Sequence, residues 1–145
     1  MSSYTRFMHR QEKEFNDFAN KHMFFAFNQK QFDEGMAKLG LKPTDTDKVY
    51  SGFAGGFYKK EDASKIDAIF TKQRRELKDM LKDEDFAYDA FYSELANHEY
   101  CITYDPDEAF SALGVTAEKV SSDEILSKAY LRAKKDYLED IERSN

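Results

Sequence analysis

The chain has 145 residues, of which 41% are hydrophobic and 34% charged, and this size and balance are typical of one globular domain. Its formal net charge of −6 argues against a general role on the phosphate backbone of nucleic acids, which proteins bind through Lys and Arg. A single cysteine, Cys101, excludes an intramolecular disulfide, and no apolar run has the length of a membrane span. We therefore expect one domain over residues 1–145, in the cytoplasm, with no direct nucleic-acid or membrane partner.

The first half of the chain predicts two helices separated by a short strand, followed by a hairpin. Apolar residues that recur every three or four positions indicate an amphipathic helix, and a short aromatic run is typical of a buried strand. Glycines between two aromatic segments favour a hairpin, because glycine readily adopts positive φ. In order, the predicted elements are a helix over 3–21, a strand over 23–27, a helix from Asn28 to Gly40 and a hairpin of 48–53 with 57–60.

The second half is mostly helical by the same criterion. Tyr100 to Tyr104 is rich in aromatic and β-branched residues, which favour a strand. The predicted elements are a helix over 62–82, a helix capped by Asp85, a strand over 100–104, a helix from Asp105 to Gly114, one further turn at Thr116 and a final helix opened by a capping box over Ser121–Glu124. The fold class is therefore predicted as α+β and predominantly helical, with about six helices packed on a small three- or four-stranded antiparallel sheet that includes the glycine hairpin.

The stretch from Asp83 to Glu118 contains ten acidic residues and no Lys or Arg. Helix caps and solvated helix faces account for about half of these carboxylates, but they do not explain the lack of counter-charges. A negative surface of this kind raises the encounter rate with a cationic partner. The partner-binding residues predicted from it are Glu94, Glu99, Asp105, Asp107 and Glu108.

A second interpretation is a small metal-dependent or cysteine enzyme centred on Glu94, His98, Glu99 and Cys101. Glu94 and His98 are four residues apart and share a helix face, so they are candidates for one metal ion or one proton transfer. The zinc motif His-Glu-x-x-His is absent, since residue 102 is Ile. Cys101 falls in a predicted apolar strand, where a thiol behaves as a small hydrophobic group. We therefore expect no catalytic residue, no metal and no cofactor.

The glycine hairpin is a further candidate for function. Phe53, Gly55 and Gly56 form a candidate loop contact, because glycine permits the close approach of a partner. Ser51 stands where the strand motif of RNA-recognition modules has a basic residue, and the Gly-Lys-Ser/Thr ending of a phosphate loop is missing. The segment is therefore interpreted first as a structural hairpin with aromatic anchors.

Three local patterns connect the chain to a family. They are Phe24-Phe-Ala-Phe27 followed by Gln31-Phe-Asp-Glu-Gly35, then Gly55-Gly-Phe57, then Glu94-Leu-Ala-Asn-His-Glu-Tyr-Cys-Ile-Thr103. In these patterns the chain resembles small uncharacterised accessory proteins carried by bacteriophages and mobile genetic elements of gut bacteria. The resemblance implies no particular activity, but it implies a setting in which small acidic proteins bind and disable host defence or transcription machinery.

Together these observations predict a non-enzymatic accessory factor that uses an acidic surface to dock a basic, nucleic-acid-binding surface of a host defence or regulatory protein. A homodimeric structural protein is the remaining alternative, because the aromatic-rich helix after Asp85 and the periodic final helix each offer a face to a second copy.

Overall fold

A computed structural model describes residues 1–52 and 55–145 of the chain. In chain order the elements are α1 (Ser3–His22), β1 (Met23–Phe25), α2 (Gln29–Lys38), β2 (Val49–Ser51), β3 (Gly56–Lys59), α3 (Ala63–Met80), α4 (Glu84–Asn97), α5 (Tyr100–Thr103), α6 (Asp107–Ala112), α7 (Ala117–Ser122) and α8 (Glu124–Ser144). The predicted α+β, mostly helical class is confirmed. The described residues form eight α-helices rather than about six, and none of these helices is long and apolar enough to cross a bilayer.

The described residues divide into two compact units. The sheet unit consists of residues 10–72, and the helical unit consists of residues 1–9 and 73–145. In the sheet unit the strand order is β1-β3-β2, with both pairs antiparallel. The predicted hairpin and the predicted strand that begins at Met23 are therefore confirmed.

The packing of α2 on the sheet depends on the contact between Gly35 of the helix and the ring of Phe24. The ring of Phe24 on β1 stacks on Phe57 of β3, with ring centroids 5.1 Å apart, and meets the edge of Phe32 on α2. Gly35 is buried in α2, and a Cβ atom placed there would lie 2.0 Å from a ring carbon of Phe24. Only a residue without a side chain therefore lets the helix approach the ring so closely.

We expect Gly35→Ala to lower the free energy of unfolding by about 1–3 kcal/mol, the usual cost of overpacking a core. Helix propensity alone would give the opposite sign, because Ala favours a helix over Gly by about 1 kcal/mol. Urea denaturation measures the change. Phe24→Leu in the Gly35→Ala background should recover part of the loss, whereas a stability gain from Gly35→Ala alone would contradict the packing described here.

The helical unit is organised by α4 and α8, which pack against each other. Three polar contacts join them: Arg132 Nη1 lies 3.2 Å from Glu84 Oε2, and the hydroxyls of Tyr88 and Tyr92 donate to Asp136 and Asp140 at 2.6 and 2.5 Å. Each pair is 48 residues apart, and successive pairs advance by four residues on both helices. The two helices therefore run parallel, one helical turn per contact.

These contacts leave both tyrosines as neutral hydrogen-bond donors. Burial and the hydrogen bond to Asp136 raise the pKa of Tyr88 to about 12. The hydrogen bond to Asp140, with burial, raises the pKa of Tyr92 to about 12. Behind the polar contacts the core contains fully buried small and aromatic residues of the two helices: Ala87, Ala90, Phe91, Ala129 and Ala133.

The predicted strand over 100–104 is wrong, because these residues form the short helix α5. Tyr100 is buried in a cluster with Leu95, Ala109 and Tyr137, so tertiary packing outweighs the local preference for a strand. The sheet consequently has three strands among the described residues.

Two predicted helix starts are also wrong in detail. Asp83, rather than Asp85, caps α4, since its Oδ1 accepts a hydrogen bond of 2.9 Å from the amide of Phe86. Asp123 caps α8 by accepting from the amide of Leu126, whereas the predicted capping serine, Ser121, belongs to α7. The predicted turn at Thr116 is confirmed as the start of α7, with Thr116 as its cap.

We expect Asp83→Ala to lower the free energy of unfolding by about 1 kcal/mol, because it leaves an amide at the start of α4 without its acceptor. Asp85→Ala is the matched control, since Asp85 is exposed and its contact with Arg132 is 3.9 Å long. That substitution should change stability by no more than about 0.5 kcal/mol. Urea denaturation of both variants compares them, and an equal loss from both would contradict the assignment of the cap.

Candidate functional site

Four of the five predicted partner-binding residues lie close together in sequence on the exposed side of the α5–α6 region. We call these exposed carboxylates, Glu99, Asp105, Asp107 and Glu108, the acidic surface. Within residues 1–52 and 55–145, none of them forms an ion pair with Lys or Arg. Glu108 instead lies 3.2 Å from Nδ1 of His98. Among the described residues, the basic side chain that contacts the acidic surface is therefore that of His98, which carries a charge when its ring is protonated.

The backbone on both sides of α5 adopts the left-handed conformation that non-glycine residues rarely take. Glu99 has φ 52° and ψ 44°, and Tyr104 has φ 54° and ψ 21°. This conformation costs roughly 1–2 kcal/mol per residue for an L-amino acid. The surrounding structure overcomes that cost, since Tyr100 is buried with its ring against Tyr104 and Tyr137. Both residues stand at the end of a helix, Glu99 after α4 and Tyr104 after α5, where a left-handed residue commonly ends the helix but is usually glycine.

This arrangement exposes two large apolar side chains beside the acidic surface. Ile102 is 71% exposed and Tyr104 is 67% exposed. Both lie between Glu99 and Asp105 in the chain, so carboxylates flank them on either side. Large exposed apolar residues within a polar rim are characteristic of protein-interaction sites.

The turn that follows α5 is held by side-chain hydrogen bonds. The amide of Asp105 donates to Oγ1 of Thr103 at 3.1 Å, and the amide of Asp107 donates to Oδ1 of Asp105 at 2.9 Å. Asp105 was predicted to cap a helix through Asp105-Pro106. It does support the start of the helix, but α6 begins two residues later, at Asp107.

Glu94, the fifth predicted partner-binding residue, is 8% exposed and does not belong to the acidic surface. Its Oε1 accepts hydrogen bonds from the hydroxyl of Tyr4 at 3.2 Å and from Nδ2 of Asn97 at 2.9 Å. Burial and the neighbouring carboxylate raise the pKa of Tyr4 well above its usual value. Glu94 therefore acts as a buried acceptor that ties the start of α1 to the end of α4.

His98 connects this buried acceptor to the acidic surface. Its Nε2 lies 3.4 Å from Oε2 of Glu94, and its Nδ1 lies 3.2 Å from Glu108. The predicted pairing of Glu94 with His98 on one helix end is thus present in the structure. Each ring nitrogen faces one carboxylate, so the ring positions Glu108 relative to the end of α4.

The enzyme interpretation rests on Glu94, His98, Glu99 and Cys101, of which Glu94 and His98 contact each other. Among the described residues, no three His, Cys, Asp or Glu side chains converge to hold a metal ion. Cys101 is half-buried in α5, and its amide donates to the hydroxyl of Tyr137 at 3.3 Å. The lack of a catalytic residue remains a prediction.

The glycine loop has a structural role at the positions that the structure describes. Gly55 has φ 76°, and its carbonyl accepts from the amide of Ala26 at 3.1 Å. Gly56 begins β3 and pairs with Phe25. Phe53, the third residue of the predicted loop contact, lies outside the described residues.

Residues 3–136 match the model of a family described as a family of unknown function, DUF7659. The chain belongs to this family. The match includes both the sheet and the acidic surface, so both are within the family region. No curated protein and no solved structure matches the chain. The expected membership of an uncharacterised family is therefore confirmed.

Sequence reasoning missed Ile102 and Tyr104 as candidate contact residues. The predicted strand over 100–104 would place both residues in the sheet, so it gives no reason to expect their side chains at an exposed contact site. Their position inside the stretch without Lys or Arg was the available signal. Their exposure follows from left-handed backbone at Glu99 and Tyr104, which nothing in the identity of a glutamate or a tyrosine indicates.

We expect Glu99→Gly to leave the free energy of unfolding unchanged or to raise it by about 1 kcal/mol. Glycine removes the left-handed strain, and its greater freedom in the unfolded chain offsets part of the gain. Glu12→Gly is the matched control, since Glu12 is exposed within α1, and it should lose about 1 kcal/mol. Thermal and urea denaturation provide the measurement. A loss from Glu99→Gly as large as that from Glu12→Gly would contradict the strain at Glu99.

Proposed function

We propose that the protein is a non-enzymatic binding factor whose acidic surface docks a basic surface of another protein. The observation that carries the proposal is the combination of four exposed carboxylates lacking Lys or Arg partners among the described residues with the exposed side chains of Ile102 and Tyr104. Charges of one sign steer an encounter and exclude partners of the same sign. The apolar pair supplies surface that can be buried once contact is made.

The chemistry of the partner follows from this surface. It should present Lys or Arg around a shallow apolar recess that receives Ile102 and Tyr104. Tyrosine is a frequent hot-spot residue at interfaces, because it buries much area with few rotatable bonds and keeps a polar end. Basic surfaces of clustered Lys and Arg are common on proteins that bind nucleic acid. A partner of that class would lose access to its nucleic acid when the acidic surface covers it.

The biological setting is an inference from the resemblance of local patterns to accessory proteins of phages and mobile elements. In that setting the partner would be a defence or regulatory protein of the bacterial host, and the protein would act in the host cytoplasm. The resemblance alone supports this part of the proposal. The binding chemistry rests on the acidic surface and does not depend on the setting.

We expect charge reversal on the acidic surface to weaken partner binding roughly tenfold, since exposed ion pairs each contribute about 0.2–1 kcal/mol. The variant is Glu99→Lys with Asp107→Lys and Glu108→Lys, which spares Asp105 because its side chain supports the turn. Affinity capture from a bacterial host lysate, followed by mass spectrometry, identifies the partner. The affinity of the purified partner for wild type and variant is then measured at low and high salt.

The control variant is Glu12→Lys with Glu34→Lys and Asp67→Lys, three exposed residues of the sheet unit that change the net charge equally. It should bind as well as wild type. Ile102→Ser with Tyr104→Ser should weaken binding without altering its salt dependence. Equal affinity of wild type and the acidic-surface variant for the partner would contradict the proposal.

A further inference from the structure

A cavity of about 700 Å³ lies in the helical unit, where the end of α3, the connection from α6 to α7 and the start of α8 meet. Its volume is in the range of about 300–1,000 Å³ that is usual for small-molecule sites. None of the residues of the acidic surface lines it. The cavity is therefore a separate feature that the proposed protein-binding function does not use.

The described residues that form the apolar wall of the cavity are aliphatic. Its apolar side chains of more than one carbon are Leu77, Leu81, Leu113, Val115, Ile125 and Leu126. Leu81, Leu113 and Leu126 are buried core residues that form its floor, and Ile125 is 40% exposed. Within residues 1–52 and 55–145, no aromatic residue lines the cavity, although aromatic residues make up 15% of the chain. A wall of methyl groups without flat rings fits a flexible alkyl chain better than a planar ring system.

The polar part of the lining is mainly cationic. It contains four basic side chains, Arg74, Lys78, Lys82 and Lys119, and one carboxylate, Asp123. The Asp123 carboxylate already accepts a hydrogen bond from the amide of Leu126 at 3.0 Å and lies 3.5 Å from Nζ of Lys119. Lys82 is also paired, since its Nζ lies 3.3 Å from Oδ1 of Asp79. Lys78 adds a positive charge to the lining beyond these two ion pairs, and in a chain with a net charge of −6 this charge favours an anionic group at the cavity.

We propose that this cavity binds an aliphatic anion, a medium- or long-chain carboxylate. The alkyl chain lies on the leucine floor, and the carboxylate faces the basic side chains. The aliphatic floor favours an alkyl chain, and the basic side chains favour a negatively charged head group. Only the two features together indicate an aliphatic anion. Each methylene that becomes buried should raise the affinity about fourfold.

The test is an NMR titration of the ¹⁵N-labelled protein with sodium decanoate below its micelle concentration. The amides of Gly114 and Lys119, at the cavity, should shift saturably with a stoichiometry of one. Acetate has the head group without the chain, and decyltrimethylammonium has an alkyl chain that is one carbon longer, with a cationic head. Neither should shift these amides. Octanoate should bind roughly fifteenfold more weakly than decanoate, because it buries two fewer methylenes and each contributes about fourfold.

Two variants test the two parts of the site. Lys78→Gln with Lys119→Gln should weaken decanoate binding roughly tenfold. Ala112→Phe, at an exposed lining residue, should fill the cavity and abolish binding. Lys30→Gln with Lys135→Gln is the control, since both residues are exposed and lie outside the lining, and it should bind as wild type does. Circular dichroism confirms folding, and if Ala112→Phe does not fold, the chain-length series and the lysine variant decide.

Three results would overturn the proposal. They are no saturable shift with decanoate, equal binding of decanoate and decyltrimethylammonium, and unchanged affinity in the Lys78→Gln, Lys119→Gln variant. If the first of these results is found, a saturable shift with an acidic amphipathic peptide would assign the cavity to a peptide.

Discussion

The parallel packing of α4 against α8 is the constraint on which the helical unit depends. Contacts between residues 48 positions apart repeat at every turn, from Arg132 and Glu84 to Tyr92 and Asp140. A shift of one residue in either helix would rotate it by about 100° and break every contact together. Because Ala87 and Ala133 are fully buried, the same shift would also force larger side chains into the core.

The position of the acidic surface depends on the end of α4, which these contacts with α8 hold in place. Glu94 is fixed by Tyr4 and Asn97, His98 contacts Glu94 from the next turn, and Glu99 then takes the left-handed conformation that starts α5. The direction in which Ile102 is exposed is therefore set by a helix end whose own position depends on α8. A buried glutamate with three polar neighbours gives this end of the molecule a single arrangement, since a buried carboxylate left without partners would be costly.

Most of the fold was accessible from the sequence, because its signals are local. The periodicity of α1, the cap at Asn28 and the glycines of the hairpin each act within a few residues, and each prediction was confirmed. The failures have a non-local cause. Residues 100–104 favour a strand by themselves, but burial of Tyr100 against Tyr137, distant in the chain, makes them helical. For the same reason the charge pattern located most of the acidic surface but also included Glu94, whose burial depends on Tyr4.

Parallel helices cannot be joined by a short turn, because the chain must return from the end of α4 to the start of α8. The segments α5, α6 and α7 are that return path, and a few buried anchors attach it to the core: Tyr100, Ala109, Phe110, Leu113 and Val120. Three carboxylates of the acidic surface, Asp105, Asp107 and Glu108, lie at exposed positions between the anchors and have no part in the register of α4 and α8. Substitutions at the exposed positions of this crossover can therefore change the surface of the helical unit without altering the contacts that hold α4 against α8.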